Sequence, residues 1–351
     1  MSEIIPGEAG SFHSFLSEGC KLCQHGAKMV LFITGKCTKD CFYCPVSEER
    51  REDVTFANER RVLSDRDVLD EAKQMNALGT GITGGEPLLR PERVLHYIGL
   101  LKREFGPRHH IHMYTSIAPD SKLLKELADT GLDEIRFHPA LKLWGRLEES
   151  PYAGAIRFAK KLGLETGIEI PSIKDADIVA CFANSIGCFL NLNELEFSDT
   201  NADAMKAMDY YLKDDVSNAV AGSEEYAIGI ASYCEKIHFC SSSYKDAVQL
   251  RRRLIRIAEN TARPFDIISE DGTILYGCIE CATADDLEYV KEELLYGGVT
   301  PEMMEVCINT IEIAGWILED VAEAIRDYAV KLYIIERYPI EGGLIVEKIP
   351  L

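Results

Sequence analysis

The sequence contains no apolar run long enough to cross a bilayer, and its opening, Met1 to Gly10, lacks the basic and apolar regions of a secretory signal. Neither a membrane nor an export role is expected, and a cytoplasmic location follows by default. Positive charge is scarce: 38 Lys and Arg against 58 Asp and Glu give a formal charge of −20. Such a surface repels polyanions, so composition does not favour nucleic acid as a partner. The one dense basic run, Arg251-Arg252-Arg253, lies in a helical pattern from Tyr244 to Asn260 and reads as a solvated face opposite Leu250, Leu254 and Ile257. A low-complexity linker is also missing. The 351 residues, 46% of them hydrophobic, are enough for one large domain or two modest ones.

Cysteine, in contrast, is plentiful. Twelve in a chain expected to stay in a reducing compartment argue for metal ligation or buried thiols rather than disulfides. They group as Cys20-x2-Cys23, Cys37-x3-Cys41-x2-Cys44 and Cys278-x2-Cys281, with Cys181, Cys188, Cys234, Cys240 and Cys307 more isolated.

From Ala27 to about Asp199, short apolar runs alternate with amphipathic helical segments, which calls for parallel strands joined by right-handed crossovers. Strands are predicted at Lys28 to Thr34, Thr80 to Thr83, His110 to Thr115, Glu134 to His138, Glu165 to Ile170 and Glu194 to Phe197. Helices fall between them at Asp65 to Leu78, Pro91 to Phe105, Pro119 to about Gly131, Pro151 to Leu162 and Asp175 to Ile186. Six such units make an α/β fold, a partial (β/α)6 barrel, with chemistry expected at the carboxyl ends of the strands. Beyond Thr200 come helices at Ala202 to Leu212 and Ser223 to Lys236. A hairpin over Phe265 to Ile279 turns at Glu270-Asp271-Gly272, helices follow at Asp285 to Leu295 and Pro301 to Ala329, and strands at Lys331 to Glu336 and Leu344 to Ile349 end the chain. The expected organisation is an N-terminal segment over 1–26 with a cysteine pair, the barrel over 27–200, and a mixed α+β extension over 201–351 packed on it.

The segment Cys37-Thr38-Lys39-Asp40-Cys41-Phe42-Tyr43-Cys44 places three thiols in one short loop directly after the first strand. Random placement of the cysteines would give about 0.01 matches to this spacing. Iron–sulfur clusters normally take four thiolates, so three leave one iron open to an external ligand, such as the amine and carboxylate of S-adenosylmethionine (SAM). A zinc site would need a fourth ligand from a distant residue. The second strand ends in Gly84-Gly85-Glu86-Pro87, where glycines permit close backbone approach and a carboxylate suits an ammonium.

These two motifs resemble those of the radical SAM superfamily, whose cluster loop is C-x3-C-x2-C with an aromatic residue, here Tyr43, before the last cysteine. The resemblance spans roughly Lys28 to Asp199. It implies an oxygen-sensitive [4Fe–4S] cluster on Cys37, Cys41 and Cys44, bound SAM, and a low-potential electron donor of ferredoxin or flavodoxin type. It also implies SAM contacts from Gly84, Gly85 and Glu86, and from Thr115, Ser116, Arg136, His138 and Glu169 at the ends of strands three to five. The remainder is similar to an archaeal group related to pyruvate formate-lyase activating enzyme. The chain departs from the compact glycyl-radical activating enzymes in its N-terminal cysteine pair and long C-terminal extension.

Three C-x2-C pairs occur where roughly 0.4 is the random expectation. Cys20 and Cys23 are therefore candidate ligands of an auxiliary iron–sulfur or zinc site, completed by Cys278 and Cys281 or by Cys240. Cys181, Cys188, Cys234 and Cys307 read as core residues, and His109, His110 and His112 as structural or solvated. The expected activity is hydrogen-atom abstraction from a small metabolite, a peptide or protein side chain, or a tRNA base, after reductive cleavage of SAM. Alternatives are activation of a glycyl-radical enzyme, wyosine-type tRNA modification, or a non-enzymatic iron–sulfur or zinc protein. The Gly-Gly-Glu-Pro turn argues against the last, because a carrier needs no amino-acid-binding turn.

Overall fold

The computed structural model describes residues 3–326 and 331–351. They form two compact units, one reaching to Lys73 and resuming over Ala77–Leu250, the other made of Gln74–Asn76 and the chain from Arg251 onward. Among the described residues no helix is long and apolar enough to cross a membrane.

In the first unit, seven parallel strands stand side by side in chain order: β1 (Lys28–Phe32), β2 (Gly79–Thr83), β3 (His110–Thr115), β4 (Glu134–Phe137), β5 (Glu165–Pro171), β6 (Phe189–Asn193) and β7 (Ile237–Cys240). Helix α1 (Glu18–Gln24) precedes them; α2 (Asp65–Gln74), α3 (Pro91–Phe105), α4 (Ser121–Thr130), α5 (Pro151–Lys161) and α6 (Ala176–Ile186) connect the first six. Short antiparallel strands flank both edges: Phe12–His13 on β7 and Phe56–Ala57 on β1. Local chemistry fixes the helix ends. Asp120 and Ser150 accept the backbone N–H of Leu123 and Tyr152 as N-caps of α4 and α5, each worth about 1 kcal/mol, and Gly131 closes α4 with a φ of +115°.

The period-two alternation sorts side chains to two faces. Leu31, Ile82, Met113 and Ile135 lie opposite one another across four strands, fully buried on the face that also carries Phe137, Ile168, Leu190 and Phe239. Each contributes about 1.5–3 kcal/mol of apolar burial. The other face is polar: Lys28, His110, His112, Tyr114, Glu134, Arg136, Glu169, Asn191, Asn193, His238 and Cys240. It forms the interior of the barrel.

Three sequence expectations change. The sixth strand is Phe189–Asn193 rather than Glu194 to Phe197, because Gly187 ends α6 in a left-handed turn (φ +67°) and the strand starts two residues later. The helix expected to reach Lys236 stops at Ile230, and Ile237–Cys240 becomes a seventh strand. Residues 201–250, assigned from sequence to the extension, therefore belong to the barrel unit. The helix expected over Pro301 to Ala329 is instead a hairpin, Met304–Val306 with Thr310–Ile313, followed by a helix over Gly315–Ile325; the expected end, 327–329, lies outside the described residues.

The second unit is an antiparallel sheet centred on Ile274–Glu280, which pairs with Thr310–Ile313 on one side and Lys331–Arg337 on the other. The expected hairpin turns at Gly272 (φ +81°), and the terminal strands occur at Lys331–Arg337 and Ile345–Pro350. Cys278 and Cys281 are buried in this unit's core with Ile279, Ile311 and Ile313.

Candidate active site

The loop after β1 carries Cys37, exposed, and Cys41 and Cys44, half-buried, all three as free thiols. Two side chains from the segment after β6 fix its backbone: Asn201 donates to the Tyr43 carbonyl (3.2 Å) and Thr200 to that of Cys44 (3.3 Å). The Cys37 sulfur accepts the Lys39 N–H at 3.3 Å, a contact that suits a ligating thiolate. Burial pushes the Cys41 thiol up, against the pull of its bond with Tyr43. The Tyr43 hydroxyl meets His138 Nε2 at 2.8 Å, and His138 Nδ1 meets the Glu169 carbonyl at 2.7 Å, so the aromatic of the loop is tied to the ends of β4 and β5. Burial, outweighing the bond to Glu169, lowers His138 below its ordinary value.

At the end of β2, the Gly85 N–H donates to the Thr34 carbonyl (2.7 Å) and the Glu86 N–H to that of Lys36 (2.9 Å). A Cβ at Gly84 would lie 2.6 Å from the Thr34 oxygen, and one at Gly85 would lie 2.5 Å from the Gly35 oxygen and 2.7 Å from that of Lys36. The glycines thus let β2 press against the backbone from which the cysteine loop springs. Close approach is real, but to the loop.

The Glu86 side chain is enclosed by donors of its own chain. It is fully buried; Oε1 accepts from the Leu88 N–H and the Thr115 hydroxyl, both at 2.9 Å, and Oε2 from the Ser116 N–H (2.6 Å) and hydroxyl (2.7 Å). A carboxylate has about four acceptor positions, and all four are used. Glu86 thereby joins the ends of β2 and β3, with Leu88, Thr115 and Ser116 as its hydrogen-bond partners. Tyr152, at the start of α5, donates to the Ser116 carbonyl; burial, with Glu86 and Cys41 adding, pushes its phenol up to about 12.

Below this rim, Glu169 accepts from Arg136 (2.8 Å), Asn191 (3.0 Å) and Asn193 (2.9 Å). Arg136 also pairs with Glu134 at 2.5 Å. Burial alone would raise both carboxyls; Arg136 outweighs it and holds each below its ordinary value. Lys28 contacts His112 Nδ1, and burial pushes its ammonium down to about 8.

Comparison with known proteins decides what this arrangement is. The radical SAM superfamily profile matches residues 31–140, and a domain of unknown function (DUF8061) matches 272–351. A Methanocaldococcus jannaschii protein, provisionally named a glycyl-radical enzyme activating enzyme, is 38% identical over 355 residues, covering 96% of this chain and 93% of its own. The chain belongs to the radical SAM superfamily. Among solved structures, methylornithine synthase is similar over 60% of this chain and 63% of its own, with 14% identity and a TM-score of 0.42.

Membership of the radical SAM superfamily makes the chain an enzyme and implies a [4Fe–4S] cluster and SAM. The donor set fits: three thiols on one loop at the strand carboxyl ends, free of disulfides, with their backbone braced. Among the described residues these three sulfurs do not all lie within 4.8 Å of one another.

Arg136 and Glu169 are bonded to one another on the barrel's inner face. Cys20, Cys23 and Cys240 belong to the barrel unit, whereas Cys278 and Cys281 are core residues of the other unit. Cys188 and Cys234 are buried, while Cys181 and Cys307 are at the surface. Sequence reasoning missed Tyr114, Asn191, Asn193 and Lys28. The Leu190-Asn191-Leu192-Asn193 alternation held the signal for the asparagines, hidden because Asn is depleted in strands.

Proposed function

We propose that this radical SAM enzyme takes a hydrogen atom from a protein partner, as a glycyl-radical enzyme activator does. When bound, the cluster supplies the electron that breaks a carbon–sulfur bond of SAM, yielding the radical that takes a hydrogen atom from the substrate. Cys37, Cys41 and Cys44 would hold three of its irons. Asn201, Thr200 and the Tyr43–His138 bond keep their loop in place, while Gly84 and Gly85 present backbone beside it. The reductant is a low-potential carrier of ferredoxin or flavodoxin type.

The observation that carries the partner reading is an exposed apolar run next to the cluster loop. Tyr210 stacks on Phe42 with ring centroids 5.7 Å apart, and Met208, Tyr211, Leu212 and Val216 around it are exposed, Val216 at 97%. Apolar side chains gathered on an acidic surface fit a protein, not tRNA. The name of the Methanocaldococcus relative agrees.

The test uses anaerobically reconstituted enzyme, SAM, a strong reductant, and protein, RNA and small-molecule fractions from cells grown in heavy water. Deuterium should enter 5′-deoxyadenosine from the protein fraction. Transfer only from RNA or small molecules overturns the partner reading. Cys41→Ala should form no deoxyadenosine; wild type that forms none with any donor would sink the radical chemistry itself.

A further inference from the structure

Cys20 and Cys23 sit one turn apart on α1, so both sulfurs leave the same face of the helix. That helix is anchored inside the barrel: the Gly19 N–H donates to Glu134 Oε2 at 2.9 Å and the Ser17 hydroxyl to Oε1 at 3.0 Å. The Cys20 sulfur accepts from Arg136 (3.4 Å) and Asn191 (3.3 Å), and its side chain also bonds His238. Cys23 and Cys240 are bridged by one carboxamide. Gln249 accepts from the Cys23 thiol (3.3 Å) and donates to the Cys240 sulfur (3.5 Å). Cys240 ends β7, and His238, two residues earlier on the same face, is buried with its Nδ1 lacking any partner. Two elements far apart in sequence thus bring three thiols and a buried imidazole to one place.

Core cysteines normally lie among apolar side chains. These face an arginine, two amides and a histidine, and N–H groups directed at sulfur are what metal-bound thiolates require. An orphaned buried nitrogen costs about 1–3 kcal/mol unless something binds it. The three sulfurs do not all lie within 4.8 Å of one another, and a whole carboxamide stands between two of them, a spread that suits a multi-iron cluster better than one tetrahedral zinc. A multi-iron cluster spans that gap. The barrel's other ligand-rich spot, His110, His112 and Glu134 within 4.8 Å, offers no thiolate for an iron–sulfur cluster and has Lys28 on His112.

We propose that Cys20, Cys23 and Cys240 ligate a second iron–sulfur cluster inside the barrel, with His238 the nitrogen donor for the remaining position. Its ligands are separate from those of the SAM cluster, so each fails independently.

The Cys37→Ala/Cys41→Ala/Cys44→Ala variant, reconstituted anaerobically with iron and sulfide, should keep about four irons per chain, against roughly eight in wild type. Its Mössbauer spectrum should not respond to SAM. The complementary Cys20→Ser/Cys23→Ser/Cys240→Ser variant should lose that iron and keep the SAM-responsive cluster, and His238→Ala should alter the EPR signal of the second cluster. The idea is overturned if the first variant holds no iron, if it takes up zinc without sulfide, or if the second keeps the wild-type iron content. Should either variant fail to fold, wild type alone decides. Two iron populations, one shifted by SAM, are expected; a single population refutes the second cluster.

Discussion

Replacing Glu86 by glutamine separates a ligand from a strut. The carboxylate receives two donors on each oxygen, one backbone N–H and one hydroxyl in each pair: Leu88 with Thr115, and Ser116 N–H with its own hydroxyl. A glutamine amide keeps one acceptor oxygen and places an NH2 where the other was. The hydroxyl on that side can rotate and accept, but the backbone N–H cannot, so either orientation of the amide leaves one buried N–H facing another donor. An unsatisfied buried donor costs about 1–3 kcal/mol, and the remaining bonds lose their charge assistance. The neutral amide escapes the cost of burying a charge, which offsets part of this. We expect a net loss of about 1–3 kcal/mol, or roughly 2–10 °C in the thermal midpoint for a unit of this size. The midpoint is measured anaerobically without SAM, and SAM affinity by titration on the same protein. Unchanged stability with weakened SAM binding would refute the strut and return the carboxylate to the ammonium.

Gly85→Ala puts a methyl 2.5 Å from the Gly35 carbonyl oxygen, backbone that cannot rotate away. The loop must shift, and we expect about 1–3 kcal/mol of destabilisation with several-fold slower SAM cleavage; wild-type values for both would show that the close approach is not needed. Burial holds His109 at about 4, with its Nδ1 unpartnered. Between about 4 and the ordinary histidine value the unfolded chain carries a proton that the folded chain does not, so stability falls as pH drops through this window, by up to about 3 kcal/mol. His109→Gln should flatten that part of the pH dependence of urea unfolding, and identical slopes in variant and wild type would contradict it.

The barrel was legible because its first five strands are apolar or β-branched runs, each followed by an amphipathic helix, two of them with a clear N-cap at Asp120 and Ser150, and because the cysteine loop and Gly-Gly-Glu-Pro fall at strand ends. What was not legible shares one cause. Positions on the concave face are polar, so β6 and β7, with Asn191, Asn193 and His238 on that face, lack the apolar continuity of parallel strands and resemble loop or helix. The surroundings of Glu86 were hidden for a related reason. A motif shows that a carboxylate is present; only the folded chain shows that Leu88, Thr115 and Ser116 consume its four acceptor positions.

The barrel interior holds Lys28 and Arg136 against Glu134 and Glu169, two cations and two anions. Replacing a buried ion pair by apolar residues is often neutral or stabilising, so stability alone does not account for this cluster. Its bonds show what it fixes. Glu134 takes Ser17 and the Gly19 N–H, and Arg136 takes the Ser17 hydroxyl at 3.0 Å and the Cys20 sulfur at 3.4 Å. Every one of these reaches α1 or its cap. On its other side Arg136 holds Glu169, whose carbonyl holds His138 and through it Tyr43 of the cluster loop. The charges therefore hold the helix that carries Cys20 and Cys23, and Glu169 links it to the loop of Cys37, Cys41 and Cys44, its carboxylate on Arg136 and its backbone carbonyl on His138. An apolar interior would pack at least as well, but it would leave the seven-residue helix only its bonds to Glu165, Asn191 and Gln249 to fix its register against the barrel.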